Sequence, residues 1–106
     1  MPDDRVRTRE VDDLIRAILS LEDADEAYAL LIDLCTIREI QDMAQRLEVA
    51  RLLDAGEHYT TIQETTGASA TTISRVSKSL HYGADGYVRV LGRLGAAGAS
   101  PSASAE

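Results

Sequence analysis

Residues 59–80 read YTTIQETTGASATTISRVSKSL. Thr60 and Gln63 have the spacing of a capping box, which opens a helix of about two turns ending before Gly67. Ser69 is placed to cap a second helix that runs to about Leu80. Ile62, Ile73 and Val76 fall where two such helices must press together. Gly67 occupies the turn, where a positive φ is normally required, and the small Thr66 and Ala68 flank it. Two short helices joined by a tight glycine turn, the second ending in basic residues, form the pattern of a helix-turn-helix spanning Tyr59–Leu80.

The outward positions of the second helix are Ser69, Ala70, Thr71, Thr72, Ser74, Arg75 and Lys78, with Thr60 joining them from the first. Short hydroxyls at a helix N-terminus let the backbone approach a DNA groove, and the free N–H groups there suit phosphate. Arg75 has the reach to fork onto a guanine edge or to hold a phosphate. Gln63 fits less well, because such motifs favour a small residue there; its amide can turn outward, or it changes the inter-helix angle. A solvated corner of a helical bundle would also carry a Ser- and Thr-rich hairpin.

Charge distribution separates these readings. The net charge is −7, which argues at first against nucleic acid. Residues 1–56 hold seven basic and fourteen acidic side chains, whereas residues 57–106 hold four of each. Between Glu64 and Asp85 there is no acid, while Arg75, Lys78 and His81 lie there. One half can therefore face phosphate while the other faces solvent. Non-specific DNA binding should still be weak, since it depends mostly on counterion release.

Working outward, the 106 residues amount to one domain with a thin core. Four Tyr and no Phe or Trp leave the core to Leu, Ile, Val and Ala, which favours an all-α fold. Val11, Leu14, Ile15, Ile18 and Leu19 recur at helical spacing from about Arg9 to Leu21. Asp23 with Glu26, and Thr36 with Glu39, announce two further helices, and Gly56 is a plausible left-handed stop for the second. Ile37, Ile40, Met43, Ala44, Leu47, Ala50 and Leu53 line that longer helix, and Val49 and Leu52 widen its stripe. Gly83 and Gly86 end the second motif helix, after which Tyr87–Leu94 suggests one last short helix. The expected organisation is an N-terminal arm over 1–8, a helical domain over 9–94 and a disordered Gly/Ala/Ser/Pro tail over 95–106.

From Thr36 to Gly83 the chain resembles the Trp-repressor superfamily, and most closely its YerC/YecD-type branch. The run from Gly67 to Val76 is the distinctive part. The resemblance implies a Trp-repressor-like helical domain, an intertwined homodimer, and two recognition helices about 34–36 Å apart, matching successive major grooves of double-stranded DNA. It also aligns Thr36, Arg46 and Arg75 with the residues that hold tryptophan in the repressor itself. That family has a Gly after the last of these, where the indole approaches the backbone, and this chain has Val76. A side chain there occupies indole space, so tryptophan-dependent DNA binding is not expected. Thr36 is otherwise an ordinary N-cap, and Arg46 an ion-pair partner for Asp42 or Glu39.

Other features suggest no catalysis. His58 and His81 are too few for a metal centre, and His81 either touches phosphate or is a plain surface residue. Cys35, the single cysteine, suits a small buried filler. Asp12–Asp13 and Asp25–Glu26 lie at helix starts, where the helix dipole accounts for them. No phosphate-binding Gly-rich loop or nucleophile elbow occurs, so no enzyme and no cofactor is expected. Arg5, Arg7 and Arg9 either track a DNA backbone or belong to a charge-mixed terminus. No apolar run is long enough to span a membrane and no leader is evident, so a soluble cytoplasmic protein is expected. Two functions remain: a homodimeric, sequence-specific DNA-binding regulator, expected to be a repressor, or a helical module that uses the helix-turn-helix corner to bind another protein.

Overall fold

The computed structural model describes residues 4–97, so the N-terminal three residues and the tail from residue 98 lie outside the described region. After a single 3-10 turn at Asp4–Val6 come six helices: α1 (Arg9–Leu19), α2 (Ala24–Leu34), α3 (Ile37–Asp54), α4 (Tyr59–Thr66), α5 (Ala70–Tyr82) and α6 (Gly86–Ala97). No strand occurs among the described residues. The chain divides into two compact units, Met1–Met43 and Ala44–Glu106.

In the first unit each helix start is held by a side chain. Thr8 accepts the Val11 amide (3.2 Å) and Asp23 accepts the Glu26 amide (2.9 Å), while Glu26 returns to the Glu22 amide (3.0 Å). Thr36 and Glu39 complete a reciprocal capping box, with Glu39 N–H donating to Thr36 Oγ1 at 3.0 Å and Thr36 N–H donating to Glu39 Oε1 at 2.8 Å. Cys35 is the C-cap of α2 and is half-buried rather than enclosed. Its amide is tied to the Leu31 carbonyl, which keeps it at the helix end.

Neither α1 nor α2 buries a single residue. Leu14, Ile15, Ile18 and Leu19 on α1, and Tyr28, Leu31, Ile32 and Leu34 on α2, are all exposed, Leu19 at 77% and Tyr28 at 65%. The amphipathic pattern therefore makes helices here without making a core.

The second unit holds the core. Val49 and Ala50 of α3, Ile62 of α4, Ala68 of the turn, Ile73, Val76 and Leu80 of α5, and Leu91 of α6 close into one buried cluster, with Leu52, Leu53 and Tyr87 packed on its edge. The α3 helix stops at a Schellman turn. Gly56 adopts φ 85°, its amide reaches the Leu53 carbonyl (3.0 Å), and the Glu57 amide reaches the Leu52 carbonyl (3.0 Å). Arg51 grips Glu48 through two hydrogen bonds (2.8 and 2.6 Å), which hold the Glu48 carboxyl below its ordinary range against a smaller opposing effect of burial.

Candidate nucleic-acid interface

The hairpin of α4 and α5 is built from short-range rules plus one long-range clamp. Gly67 ends α4 at φ 74° and ψ 4°, with its amide on the Gln63 carbonyl (2.9 Å). An L-residue pays about 1–2 kcal/mol for that left-handed conformation, which glycine avoids. Thr66 then locks the turn from within: its hydroxyl donates to the Ile62 carbonyl (2.7 Å) and accepts the Ala68 amide (3.1 Å). Gln45, on α3, donates from Nε2 to the Thr66 carbonyl (3.2 Å). Ile62, Ile73 and Val76 are buried between the helices at 0%, 0% and 2% exposure. Gln63 turns outward and is exposed.

The start of α4 corrects one expectation. Thr60 and Gln63 do not form a capping box, because the helix begins at Tyr59 and leaves Thr60 already inside its first turn. His58 is the N-cap and makes no side-chain capping bond. The start of α5 follows the sequence: Ser69 Oγ accepts the Thr72 amide (3.1 Å) and donates to Thr72 Oγ1 (3.1 Å). That bond occupies the Ser69 hydroxyl and leaves Thr72 half-buried at the margin of the face. Ala70, Thr71, Ser74, Arg75 and Lys78 are exposed on α5, and Thr60 is exposed on α4.

Tyr82 extends this face, one turn beyond Lys78 and 86% exposed. An isolated tyrosine at a helix end carries no distinctive sequence signal, and neither does Gln45, whose partner is 21 residues away. The His81 ring donates through Nδ1 to the Ser77 carbonyl (2.8 Å), which turns it back along its own helix.

Ion pairing divides the cations sharply. In the first unit Arg7 pairs with Asp12 (2.6 Å), Arg9 with Asp13 (2.8 Å), Arg38 with Asp42 (3.3 Å), and Arg16 also holds Asp13. The pairs of Arg7 and Arg9 favour a charge-mixed terminus over an arm on DNA. In the second unit Arg46, Arg75, Lys78, Arg89 and Arg93 make no ion pair among the described residues. Arg46 thus departs from expectation. Asp42 is taken by Arg38, one turn on its other side, and Glu39 is committed to the Thr36 amide.

Of the three positions aligned with a tryptophan site, Thr36 uses both its amide and its hydroxyl in the capping box. Arg75 is exposed, and the Val76 side chain points into the core. Among the described residues no group of three metal-ligating side chains gathers, and no helix is long and apolar enough to cross a membrane.

Known proteins share this arrangement. The uncharacterised protein YerC of Bacillus subtilis (strain 168) is 53% identical over 91 residues, covering 86% of this chain and 88% of its own length. A crystallised TrpR-like protein from Eubacterium eligens ATCC 27750 superposes with a TM-score of 0.84 at 53% identity, over 88% of this chain and 96% of that one. A second crystallised protein, from Staphylococcus aureus, gives a TM-score of 0.84 at 44% identity over 90% and 95% of the two chains. The profile of the family described as Trp repressor protein matches residues 9–95. By fold, sequence and helix-turn-helix, the chain belongs to the Trp repressor family of all-helical DNA-binding regulators, which are not enzymes.

Proposed function

We propose that the protein is a homodimeric, sequence-specific transcriptional regulator, acting as a repressor, that inserts α5 into the major groove of double-stranded DNA. One observation carries the reading. The exposed face of α5 presents Arg75 and Lys78 unpaired, in an acid-free stretch, on a hairpin whose core is closed. Leaving two cations unpaired in a chain with eighteen acids suits a surface whose counter-charge is a phosphate. Thr60, Ala70, Thr71 and Ser74 bring short side chains to the same approach, while Ser69 and Thr72 position the end of α5.

Sites selected from random duplex DNA, followed by fluorescence anisotropy, test this. Arg75→Ala should cost about 1–3 kcal/mol at the preferred site and relax specificity at the base it reads. Lys78→Ala should weaken all sequences alike and lower the salt slope by about one. A wild-type protein with no preferred site at low salt, and unaffected by Arg75→Ala, would instead be a protein-binding module.

The dimer reading is supported by the faces left open. Fully burying one Leu or Ile side chain contributes about 1.5–3 kcal/mol. With seven such residues and Tyr28 exposed on α1 and α2, a second copy of the chain supplies what each copy lacks. The second unit also carries an open, largely apolar groove of about 470 Å³ lined by Leu47, Tyr87 and Val90, with Ser79, Gly83, Ala84 and Gly86 at its margin.

DNA binding is proposed to be independent of tryptophan. Val76 stands where the resemblance to the tryptophan-binding repressor implies a glycine against the indole, and its side chain is held in the core it helps to form. Isothermal titration with tryptophan at physiological concentration should give no saturable heat, and anisotropy midpoints should be the same with and without it. A saturable isotherm sinks this part of the reading.

A further inference from the structure

The outward face of α5 is narrow in its chemistry. From Ala70 to Tyr82 the helix contains no Asn, Gln, Asp or Glu. Asn and Gln are the side chains that fork onto adenine, and Asp and Glu those that accept from the cytosine amino group. Without them α5 has no side chain that selects adenine or cytosine directly. Gln63 and Glu64 do not fill the gap, because they lie on α4, the helix that crosses the phosphate backbone in this motif. His81 is turned back onto the Ser77 carbonyl at the far end of α5. What remains is Arg75 and Lys78, which suit the O6 and N7 acceptors of guanine, and a group of short side chains.

The first turn shows what those short side chains can read. Ser69 spends its hydroxyl twice, accepting the Thr72 amide and donating to Thr72 Oγ1, both at 3.1 Å, and Thr72 is half-buried. Ala70 is exposed and carries only a methyl group. Thr71 is exposed, and its hydroxyl makes no hydrogen bond among the described residues. A hydroxyl donates and accepts alike, so it does not tell one base from another. The groups left to discriminate at the start of α5 are two methyls, Ala70 Cβ and Thr71 Cγ2. In the major groove the apolar group that a base presents is the 5-methyl of thymine. Thr71 and Arg75 lie one turn apart on the same face, a separation of about 6 Å, or under about two base-pair steps.

We infer that α5 reads a thymine by its 5-methyl group, through the methyls of Ala70 and Thr71, within about two base pairs of a guanine read by Arg75. This rests on the DNA-binding reading above and names the bases that it selects. Adenine and cytosine enter the site only as the complements of these two.

Duplexes in which uracil replaces one thymine of the selected site test it, since uracil keeps the base pair and removes only the methyl. Wild-type protein should bind the uracil duplex about fourfold more weakly, the effect of one methyl-sized group left uncovered. Ala70→Gly and Thr71→Ser should each narrow the gap between thymine and uracil, and together close it. Thr71→Val keeps a methyl in place of Cγ2 and should leave the gap intact. If Ala70→Gly frays the first turn, seen by circular dichroism, Thr71→Ser alone must still narrow the gap, because it changes only an exposed methyl. Cytosine at the same position should bind more weakly than thymine, and 5-methylcytosine should recover part of that loss. Equal affinity for thymine and uracil at every position near the guanine overturns the inference, as does a gap that survives both variants. So does a selected site with no thymine within that distance of the guanine that Arg75→Ala ceases to select. A wild type with no preferred site at low salt, and unaffected by Arg75→Ala, fails earlier, at sequence-specific binding itself.

Discussion

Ile73→Ala should cost about 2–5 kcal/mol of stability, the range for truncating a buried aliphatic side chain. The upper part of that range is expected because the core is small and Ile73 is fully buried at its centre, between Ile62 and Val76. The backbone of the turn beside it is held by Thr66 and Gln45, which limits how far the hairpin can close on the void. Ile73→Val should cost only about 0.5–1.5 kcal/mol, because most of the packing survives. Urea titration followed by far-ultraviolet circular dichroism, at one fixed protein concentration, measures both. DNA affinity should fall with stability in the alanine variant, because α5 takes its orientation from this contact. A cost below about 1 kcal/mol would mean that the hairpin is not held by the cluster described.

The parts of the fold legible in the sequence are those fixed within a few residues. Ser69, Asp23 and the Thr36–Glu39 box each act over three positions, and each forms the expected bond. Gly56 and Gly67 announce left-handed stops that need no tertiary context, and both adopt positive φ. The Ile62–Ile73–Val76 contact follows from the same local spacing. What stayed hidden depends on choices between equivalent neighbours or on distant partners. Asp42 stands one turn from both Arg38 and Arg46, and spacing alone does not decide which arginine it takes. Thr60–Gln63 has a capping spacing, yet the helix starts at Tyr59 and bypasses it. Gln45 reaches its partner only once α3 has packed on the hairpin.

The exposed apolar faces show a different limit. Periodicity predicts that Leu14, Ile18, Tyr28 and Leu31 lie on helix faces, and it is silent about what covers them. A pattern that normally means burial appears here on helices with no buried residue. The same ambiguity applies to charge. A net of −7 obscures the division between a first unit whose arginines are neutralised locally and a second in which only Arg51 has an ion pair among the described residues while Arg75 and Lys78 are left open. That division becomes visible only when each partner is assigned.

Gly83 and Gly86 look interchangeable as helix breakers, and substitution should separate them with opposite signs. Gly83 has φ −90° and ψ −148°, so its backbone is not left-handed and no positive-φ argument applies. A Cβ built on it would meet the Ser79 carbonyl oxygen at 2.2 Å, and that same oxygen accepts the Gly83 amide at 3.0 Å. The obstacle is backbone, which cannot swing aside as a side chain would. Gly83→Ala must therefore shift the end of α5 or the link to α6, at a cost of about 1–3 kcal/mol by analogy with overpacked sites. Because Tyr87 and Leu91 follow directly, the shift should also loosen the packing of α6 on α5. Gly86 begins α6 with open space around its missing Cβ. Gly86→Ala should stabilise by about 0.4–1 kcal/mol, chiefly by restricting the unfolded chain. The two variants measured together in urea give the discriminating result. Equal destabilisation would mean that both glycines serve the turn by flexibility alone, whereas opposite signs identify Gly83 as the site of close backbone approach that sets the α5–α6 junction.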